Sequence, residues 1–532
     1  MRQAAISVPS NPTPGSSASM NGAESLARTL LASGVEVCFA NPGTSEMHFV
    51  AALDRVAGLR CVLGLHETVV TGCADGYARM TGKPAATLLH CGPGFANGIA
   101  NLHNARRANS PIVNVVGDQA TYHRPYDAPL TADTEGLARA VSHWVRTCAT
   151  AAEVPGAGAA AVQAARTSPG QIATLILPAD TAWNESTGPA APLPVPARPR
   201  VAPDTLATVA RALRSGAPAM LLLSGAALSE TGLRAAHRIA TKTGAKLRVP
   251  TQIARMARGR GRPQIDRIPY ALDRALEVLG GLAHLVLVGA KPPVGFFAYP
   301  GKPSELWPRD CTVHMLARTE EDQVAALEAL ADELGASRDT PIAEAPKPTL
   351  ATGAFSPEAF GGTLAALIPD NAIVAEDAVT SGRQLFVPTF ASAPNDWIQI
   401  TGGAIGCGLP IATGAAFACP DRKTVCLQSD GGGMYTVQSL WTQAREKLDV
   451  VNVIFANRSY RILMGELTAV GATPGKSARQ LFDLGPPDLD WVKLAGGMGM
   501  EATRVDTLEA FTDVFRSACG HRGPFLIELT VP

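Results

Sequence analysis

Short apolar runs recur along the chain and alternate with longer segments of helical periodicity. Runs that are apolar on both faces and alternate with helices are typical of a parallel sheet covered by helices. Order is expected to begin at Asn21, whose side chain can cap a helix with Glu24 three residues later. The strands predicted in the first third are VEVCFA (35–40), AATLLH (85–90), PIVNVVG (111–117) and ATLILP (173–178).

The same alternation continues through the rest of the chain. The strands predicted there are AMLLLSG (219–225), KLRVP (246–250), HLVLVG (284–289), AIVAED (372–377), TVCLQSD (424–430), VVNVIFAN (450–457) and FLIELT (525–530). We therefore predict an α/β protein with three consecutive domains, each a mostly parallel sheet flanked by helices.

Two proline-rich stretches are expected to separate these domains, because such sequences form stiff extended connectors rather than packed elements. The first residues are rich in serine and proline and have no hydrophobic periodicity, which predicts a disordered tail. The expected layout is a tail over 1–19, a first domain over 20–185, a linker over 186–203, a middle domain over 204–339, a linker over 340–357 and a third domain over 358–532.

Composition narrows the class of protein. A length of 532 residues suits about three domains. The 46 basic residues equal the 46 acidic ones, so no overall positive field favours a nucleic acid or a membrane surface as partner. Ten scattered cysteines without a C-x-x-C pair make zinc ribbons and disulfide frameworks improbable. With neither a long apolar run nor a signal core, a cytoplasmic enzyme is expected.

Candidate chemistry appears where two predicted strands end. Asp430 closes one strand and is followed by three glycines (431–433), and Asn457 closes the next strand. Ligands bind at this edge of open parallel sheets, and oxygen atoms of Asp430 and Asn457 could share one hard cation such as Mg²⁺. The glycines would let backbone N–H groups approach a diphosphate. The alternative interpretation is an ordinary glycine-rich turn.

The spacing of these residues carries a family resemblance. SDGG, 24 further residues and then Asn457 resemble the GDG…N motif of thiamine diphosphate (ThDP) enzymes, with Ser429 in place of the first glycine. The acetolactate synthase and benzoylformate decarboxylase branch of these enzymes has pyrimidine-binding, Rossmann-like middle and diphosphate-binding domains in this order, and the resemblance covers 21–532. Its other segments are NPGTSE (41–46), HETVVTGCADGYAR (66–79), HCGPGFAN (90–97) and GGAIGCGLP (402–410).

The resemblance implies a role for particular residues around the cofactor. Glu67 would hydrogen-bond the pyrimidine ring, although a glutamate at such a place is usually a helix cap or a surface residue. Ile405 would be the apolar wedge that bends the cofactor. Mg²⁺ would be held by Asp430, Asn457 and the backbone carbonyl of Ser459. The other residues expected to line the cofactor are Asn97, Thr380, Gly403, Gly431, Gly432 and Tyr460.

A second group of residues is expected at the substrate. His90 falls where the decarboxylases have an active-site histidine and could move protons near neutral pH, the alternative being a structural histidine. Thr44 falls where benzoylformate decarboxylase has a substrate-contacting serine. Phe297 lies in the loop that lacks that enzyme's second histidine. Ile462 and Leu463 could set the size of the pocket, and bulky Ile462 suggests a small acyl donor.

These implications lead to a prediction of function with alternatives. We expect ThDP/Mg²⁺-dependent formation or cleavage of a carbon–carbon bond on a small 2-oxo acid such as pyruvate. Acetolactate-synthase-like ligation, with an aldehyde or second 2-oxo acid as acceptor, comes first, and decarboxylation of the benzoylformate decarboxylase type second. A non-catalytic ThDP-binding partner protein is the third possibility, against which intact Glu67 and Asp430 argue. The segments that contact FAD in acetohydroxyacid synthases have no close match, so FAD is not supported.

The resemblance also implies an assembly. Glu67 of one subunit would meet the diphosphate site of another, so a homodimer or homotetramer is expected. A basic cluster in the predicted middle domain (Arg255, Arg258, Arg260 and Arg262) has two interpretations, an anion-binding site or a solvated loop, and the loop is favoured.

Overall fold

A computed structural model describes residues 20–532, so the tail predicted over 1–19 lies outside the described residues. The first helix begins as the sequence indicates, because Asn21 Oδ1 accepts the backbone N–H of Glu24 at 2.9 Å. Three sheets follow along the chain, with six, four and seven strands, and helices flank them. Within 20–532, no helix combines the length and the apolar character needed to cross a bilayer.

The first sheet is entirely parallel, with strand order β2-β1-β3-β4-β6-β5. Its strands are β1 (Val37–Asn41), β2 (Arg60–Leu63), β3 (Ala85–Leu89), β4 (Ile112–Asp118), β5 (Trp144–Thr147) and β6 (Ile172–Pro178). The accompanying helices are α1 (Gly22–Ala32), α2 (Met47–Leu53), α3 (Glu67–Thr81), α4 (Cys91–Ala108), α5 (Thr134–Val141), α6 (Val154–Arg166) and α7 (Ala179–Trp183), with 3₁₀ turns at Thr44–Glu46 and Arg124–Tyr126.

The second sheet is smaller and also parallel, with order β11-β10-β7-β8. The strands of this part of the chain are β7 (Ala219–Leu223), β8 (Lys246–Arg248), β9 (Arg255–Arg258), β10 (His284–Val288) and β11 (Thr312–Ala317). The helices are α8 (Pro203–Arg214), α9 (Glu230–Thr243), α10 (Leu272–Leu279) and α11 (Gln323–Glu333), with a 3₁₀ turn at Gly225–Leu228. Strand β9 leaves this sheet and joins the third one.

The third sheet has order β16-β17-β15-β14-β12-β13-β9 and is parallel except for β9. Its remaining strands are β12 (Ala372–Asp377), β13 (Asn395–Gln399), β14 (Thr424–Ser429), β15 (Val450–Ala456), β16 (Glu501–Val505) and β17 (Phe525–Thr530). The helices are α12 (Pro357–Leu367), α13 (Val379–Gly382), α14 (Gly408–Ala418), α15 (Asp430–Gly433), α16 (Ser439–Arg445), α17 (Arg461–Ala469), α18 (Lys476–Phe482), α19 (Trp491–Gly497) and α20 (Leu508–Gly520), with a 3₁₀ turn at Pro388–Ala391.

Strand β9 overturns the interpretation of the arginine cluster as a solvated loop for Arg255 and Arg258, whereas Arg260 lies beyond the strand and is exposed. Arg258 is 1% exposed, and its guanidinium carbon lies 4.0 Å from the ring centroid of Phe386 and 4.4 Å from that of Trp397. Arg255 forms an ion pair with Asp396 at 3.0 Å. A charge count along the sequence could not reveal this, because the aromatic partners come from a segment more than a hundred residues away.

Helices α3 and α14 join the first and third sheets through glycine contacts. A Cβ on Gly76 would lie 2.1 Å from the carbonyl oxygen of Ile411, and one on Gly414 would lie 1.9 Å from that of Cys73. Only glycine permits such close backbone approach. The two helices therefore fix Glu67, at the start of α3, relative to the loop that precedes α14.

Candidate active site

Asp430 lies at the carboxyl end of β14, as the first residue of α15, and is 3% exposed. Its Oδ1 accepts the backbone N–H of Gly431 at 2.8 Å, and its Oδ2 accepts the backbone N–H of Arg458 at 2.7 Å. Burial raises the pKa of this carboxyl group. A nearby cation would stabilise the ionised form, because opposite charge offsets the cost of burial.

The turn after β15 brings further oxygen atoms to Asp430. The Arg458 N–H bond ties this turn to the carboxylate, and Asn457 Oδ1 accepts the backbone N–H of Ser459 at 2.9 Å. Arg458 has a φ of 55°, a left-handed conformation that is uncommon outside glycine and makes the turn tight. The structure thus brings together Asp430, Asn457 and Ser459, the three residues that the sequence suggested as metal ligands.

The loop before α14 packs directly on α15. A Cβ on Gly406, which has a φ of 90°, would lie 2.9 Å from the carbonyl oxygen of Gly432 and 2.6 Å from Tyr435 Cβ. The Thr436 hydroxyl donates to the Gly406 carbonyl at 2.5 Å. Ile405, the expected apolar wedge, is half-buried and precedes this contact, so it lies beside the Asp430 segment.

Gly403 and Thr380 approach the same edge of the sheet. Thr380 is half-buried on α13, directly after β12, which is hydrogen-bonded to β14. Gly403 has a φ of 82°, and a Cβ there would lie 3.0 Å from Phe296 Cζ. Phe297 is 58% exposed and packs on Phe296 with ring centroids 5.1 Å apart. Phe296 therefore contacts this loop, and the role of Phe297 in the substrate pocket stays a prediction.

Two buried residues beneath this loop were missed by sequence reasoning. Asp377 Oδ2 accepts the backbone N–H groups of Gly406 at 2.7 Å and Gly408 at 3.3 Å, and the side-chain amide of Gln428 at 3.2 Å. Its Oδ1 is buried without a hydrogen-bond partner. Burial raises the pKa of Asp377 to about 7. The acid that ends strand β12 was the available signal, and it resembles Asp430 in position.

Helix α17 follows the turn at 457–459, as expected for a helix beginning near Ser459. The ring of Tyr460 covers α15, because a Cβ on Gly431 would lie 2.5 Å from Tyr460 Cε1. Burial raises the pKa of Tyr460. Ile462 is half-buried and Leu463 is 40% exposed. In a single chain these apolar side chains are therefore open to a ligand or to another subunit.

Glu67 is the first residue of α3 and is 8% exposed. Its Oε2 accepts the side-chain amide of Asn97 at 3.0 Å, so the structure brings together two of the predicted cofactor residues. A Cβ on Gly94 would lie 2.7 Å from Glu67 Oε1. Glycine at 94 therefore leaves the space that the carboxyl group occupies.

His90 also lies close to Gly94. The same Cβ position at Gly94 is 3.3 Å from His90 Cβ, so Glu67 and His90 both approach one glycine. The imidazole ring stacks against the backbone of Gly43, where a Cβ would lie 2.3 Å from the ring. Thr44 follows Gly43 and is exposed. The structure thus gathers Thr44, His90 and Glu67 around the start of helix α4.

Glu46 is a further buried acid, to which the sequence motifs assign no role. It is 2% exposed, and its Oε2 lies 2.9 Å from His90 Nδ1. The same oxygen accepts the backbone N–H of Gly43 at 2.7 Å, and Oε1 accepts the hydroxyl of Ser45 at 2.6 Å. The acid at the end of the NPGTSE segment was the available signal, but its partner comes from a distant strand end.

Helix α4 connects the two halves of the site. Asn104 donates to the Ala404 carbonyl at 2.8 Å and accepts the Gly402 N–H at 3.1 Å. Asn97 lies seven residues before Asn104, which places it about 10 Å away along the helix axis. Within one chain, across 20–532, no hydrogen bond joins Glu67 to the segment around Asp430.

The oxygen atoms around Asp430 fit the magnesium and cofactor that the resemblance implies. A carboxylate, an amide oxygen and a backbone carbonyl are the hard ligands that Mg²⁺ takes. The buried carboxyl group of Glu67, beside Asn97 and Gly94, suits a hydrogen bond to a nitrogen heterocycle. Asp430, Asn457 and Ser459 could therefore hold the metal and diphosphate, and Glu67 the pyrimidine ring.

Comparison with known proteins supports this assignment at both ends of the chain. Residues 20–145 match the family described as thiamine pyrophosphate enzyme, N-terminal TPP binding domain, and residues 384–529 match the C-terminal TPP binding domain. The chain is 51% identical over 515 residues to a Mycobacterium tuberculosis (strain ATCC 25618 / H37Rv) protein provisionally named acetolactate synthase large subunit IlvX, covering 96% of this chain and 99% of that protein.

Decarboxylases are also similar. The benzoylformate decarboxylase of Pseudomonas aeruginosa is 29% identical, with 93% of this chain and 96% of that protein covered. The solved structure of the Rhodococcus jostii RHA1 thiamine diphosphate-dependent 4-hydroxybenzoylformate decarboxylase superposes with a TM-score of 0.83 at 25% identity, covering 96% of this chain and 98% of that chain. Fold, site and relatives together show that the chain belongs to the thiamine pyrophosphate enzyme family, in its acetolactate synthase and benzoylformate decarboxylase branch.

Proposed function

We propose that the protein uses ThDP and Mg²⁺ to cleave the carbon–carbon bond next to the carbonyl of a 2-oxo acid. The observation that carries this proposal is the placement of Glu67 and His90 against the same glycine, Gly94. One is a buried carboxyl group for the cofactor ring, and the other is an imidazole suited to handle protons of a substrate. When bound, ThDP supplies the carbon nucleophile and the electron sink for this chemistry.

The residues of the chain have separate tasks in this proposal. Asp430, Asn457 and the Ser459 carbonyl hold the metal, and the Arg458 N–H bond keeps Asp430 in place. Glu67 holds a proton against the pyrimidine ring, and Asn97 fixes the orientation of its carboxyl group. These contacts orient the cofactor before the substrate arrives, which is how a protein contributes to cofactor chemistry.

The substrate side is formed by His90 and Thr44 with the apolar residues of α17. The Thr44 hydroxyl can donate to a carboxylate or a carbonyl oxygen, and the His90 imidazole can do so when its ring is protonated. Ile462 and Leu463 offer an apolar surface to the organic part of the acid. A 2-oxo acid has both kinds of group, which is why this class of substrate is proposed.

Two fates of the remaining acyl fragment are supported by different observations. The placement of His90 favours protonation and release of an aldehyde, because an imidazole that can accept a proton and return it lies beside the site. The relative at 51% identity favours transfer to a second carbonyl compound, the acetolactate-synthase-like ligation. On the geometry alone, decarboxylation with release of an aldehyde is the better supported function, and ligation is the second candidate.

Product analysis tests both candidates. The protein is supplied with ThDP, Mg²⁺ and either pyruvate or benzoylformate, each with and without an added aldehyde. An aldehyde product indicates decarboxylation, and acetolactate or a mixed acyloin indicates ligation. Bound ThDP without turnover of either acid would contradict the proposal and favour the non-catalytic partner protein. Glu67→Gln should abolish turnover, whereas Glu36→Gln, which changes an exposed ion pair with Lys83, should not.

The proposal includes a homodimer in which Glu67 of one subunit faces Asp430 of another. Mixing Glu67→Gln and Asp430→Asn subunits tests this arrangement, because a heterodimer would contain one intact site. Random mixing of equal amounts should restore about a quarter of the wild-type activity. Sites that lie within single chains would recover none, and that result would contradict the shared site.

A further inference from the structure

Three groups converge on one carboxylate beside the predicted substrate site. Glu46 Oε2 accepts the Gly43 N–H at 2.7 Å and lies 2.9 Å from His90 Nδ1, and Oε1 accepts the Ser45 hydroxyl at 2.6 Å. The side chain of Glu46 is 1% exposed and that of His90 is 24% exposed. The imidazole edge at Nδ1 therefore faces the buried acid, and the opposite edge at Nε2 is the one that can meet a ligand.

We propose that Glu46 is a positioning residue for His90, and that it holds the imidazole with the proton on Nδ1 and the lone pair on Nε2. The claim that this serves catalysis rests on the proposed function, but the tautomer itself does not. A carboxylate only accepts hydrogen bonds, and Oε2 already accepts from Gly43, so Nδ1 must be the donor. In a neutral ring with one N–H, Nε2 is then the acceptor.

The surroundings of the pair support this assignment of protons. A Cβ on Gly117, at the end of β4, would lie 1.6 Å from Glu46 Oε1, so the backbone of that strand confines the carboxylate. Ser45 Oγ is 3.3 Å from His90 Nδ1 but only 2.6 Å from Glu46 Oε1, so its proton goes to the acid. The fixed partner of Nδ1 is therefore Glu46.

The other ionisable groups around the pair are accounted for. Asp118 is buried and paired with Arg124, whose Nε lies 2.9 Å from Asp118 Oδ2. Burial raises the pKa of the Cys91 thiol to about 11, so it is protonated near neutral pH. Glu67, near Gly94, accepts a hydrogen bond from the side-chain amide of Asn97. Glu46 is thus the acid that is hydrogen-bonded to the His90 ring.

The arrangement has a consequence for proton transfer. When His90 accepts a proton at Nε2, the resulting cation faces the negative charge of Glu46 through its Nδ1–H bond. Giving up that proton returns the ring to the same neutral tautomer, with Nε2 ready to accept again. Glu46 itself does not need to change its protonation state. A carboxylate that orients a histidine in this way acts through the histidine and does not touch the substrate.

The first test measures the tautomer without substrate or cofactor turnover. Long-range ¹H–¹⁵N spectra of histidine-labelled protein distinguish Nδ1–H from Nε2–H, and His90→Gln identifies the His90 signals among the ten histidines of the chain. Wild type should show a protonated Nδ1 and an unprotonated Nε2 above the pH at which the ring ionises. Ser45→Ala should keep this pattern, and Glu46→Ala should lose it. A wild-type ring protonated at Nε2 would overturn the proposal.

The second test separates positioning from a merely structural role. Glu46→Ala should lower kcat/KM for the 2-oxo acid on the order of 10²-fold, in the range of general acid–base effects, with the ThDP affinity unchanged. In a His90→Gln background, Glu46→Ala should cost little more, because the two residues act as a unit. An equal loss in both backgrounds would overturn the proposal.

Failure of this inference can be told apart from failure of the proposed function. Turnover of a 2-oxo acid by a protein whose His90 carries its proton on Nε2 would reject Glu46 as the positioning residue and keep the function. Absence of turnover with the expected tautomer would reject the function and keep the pair. If Glu46→Ala does not fold, the spectra of the wild type, Ser45→Ala and Glu46→Gln still test the tautomer of His90. Glu46→Gln retains an oxygen acceptor and should therefore keep the proton on Nδ1.

Discussion

Asp377 offers a quantitative test of how the site is built. Its carboxyl group is fully buried under the Gly406–Gly408 backbone, and Oδ1 has no hydrogen-bond partner. Burial raises its pKa from 3.8 to about 7, with Glu376 adding to the rise, although hydrogen bonds from Gln428 and the two glycines oppose it. We expect Asp377→Asn to remove a dependence of stability on pH that the wild-type protein has.

The sign and size follow from proton linkage. Between the unfolded and folded pKa values, the folded protein binds more protons than the unfolded chain, so the free energy of unfolding falls as the pH rises and levels off above pH 7. With a folded pKa of about 7 and an unfolded value of 3.8, this loss between pH 5.5 and 8.5 is about 2 kcal/mol. The amide that Asp377→Asn introduces cannot ionise, so the variant should not show this loss.

The assay compares urea unfolding, followed by circular dichroism, at pH 5.5 and 8.5 for wild type and Asp377→Asn. The variant should gain about 2 kcal/mol relative to wild type on going to the higher pH. Asp396→Asn is the matched control. Burial alone would raise the pKa of Asp396, but the ion pairs with Arg255 and Arg422 outweigh this effect and lower the pKa overall. Asp396 therefore stays ionised throughout this interval. Its stability difference from wild type should not change between the two pH values.

One result would refute this reasoning. If Asp377→Asn and wild type lose stability in parallel between pH 5.5 and 8.5, then Asp377 ionises in the folded protein in the ordinary range. The Gly406–Gly408 backbone would then be held by a network that stabilises the charged carboxylate of Asp377. The inference that burial keeps this carboxyl group neutral would be wrong.

Two further substitutions test the packing of the site and of the sheet. Gly94→Ala should displace the Glu67 carboxyl group, because the new Cβ would lie 2.7 Å from Oε1, and misplacing this catalytic group should lower turnover on the order of 10²-fold. The control is Gly156→Ala, whose Cβ would meet nothing within 4 Å. Equal activity of the two variants would contradict the crowding at Gly94. Arg258→Ala should destabilise the protein by about 3 kcal/mol and Arg258→Met by less, because methionine fills the space between Phe386 and Trp397 without burying a charge. Thermal unfolding measures both variants. A greater loss of stability in Arg258→Met than in Arg258→Ala would show that the charge itself is needed.

The sequence predicted the central strands well because they are apolar on both faces. All residues of β3, β4 and β12 are buried, and their apolar runs stand out from the flanking helices. Strands β2, β5, β11 and β16 were missed because they have exposed positions and mixed polarity, as strands at the edges of sheets often do. Strand β9 was also missed, since the sheet it joins is built mainly from residues after 370. Strand β13 was missed although it is internal to its sheet, because polar Asn395, Asp396 and Gln399 interrupt its apolar pattern.

The site shows the same limit in a different form. Asp430 and Asn457 could be paired in advance because both end adjacent parallel strands, and this edge of the sheet follows from topology. Glu46 could not be linked to His90 in this way. His90 follows β3, the neighbour of β1, but Glu46 lies beyond the end of β1, on the turn that places Gly43 against the ring. Motifs therefore indicated the residues near the cofactor, whereas the contacts that orient them required coordinates.

The most direct test of the account is a crystal structure of the assembled protein with ThDP and Mg²⁺. We predict that Glu67 of one subunit will hydrogen-bond the pyrimidine ring, while Asp430, Asn457 and the Ser459 carbonyl of another subunit bind the metal at the diphosphate. A cofactor bound between residues of one chain, or a metal without Asp430 as ligand, would contradict the central claim.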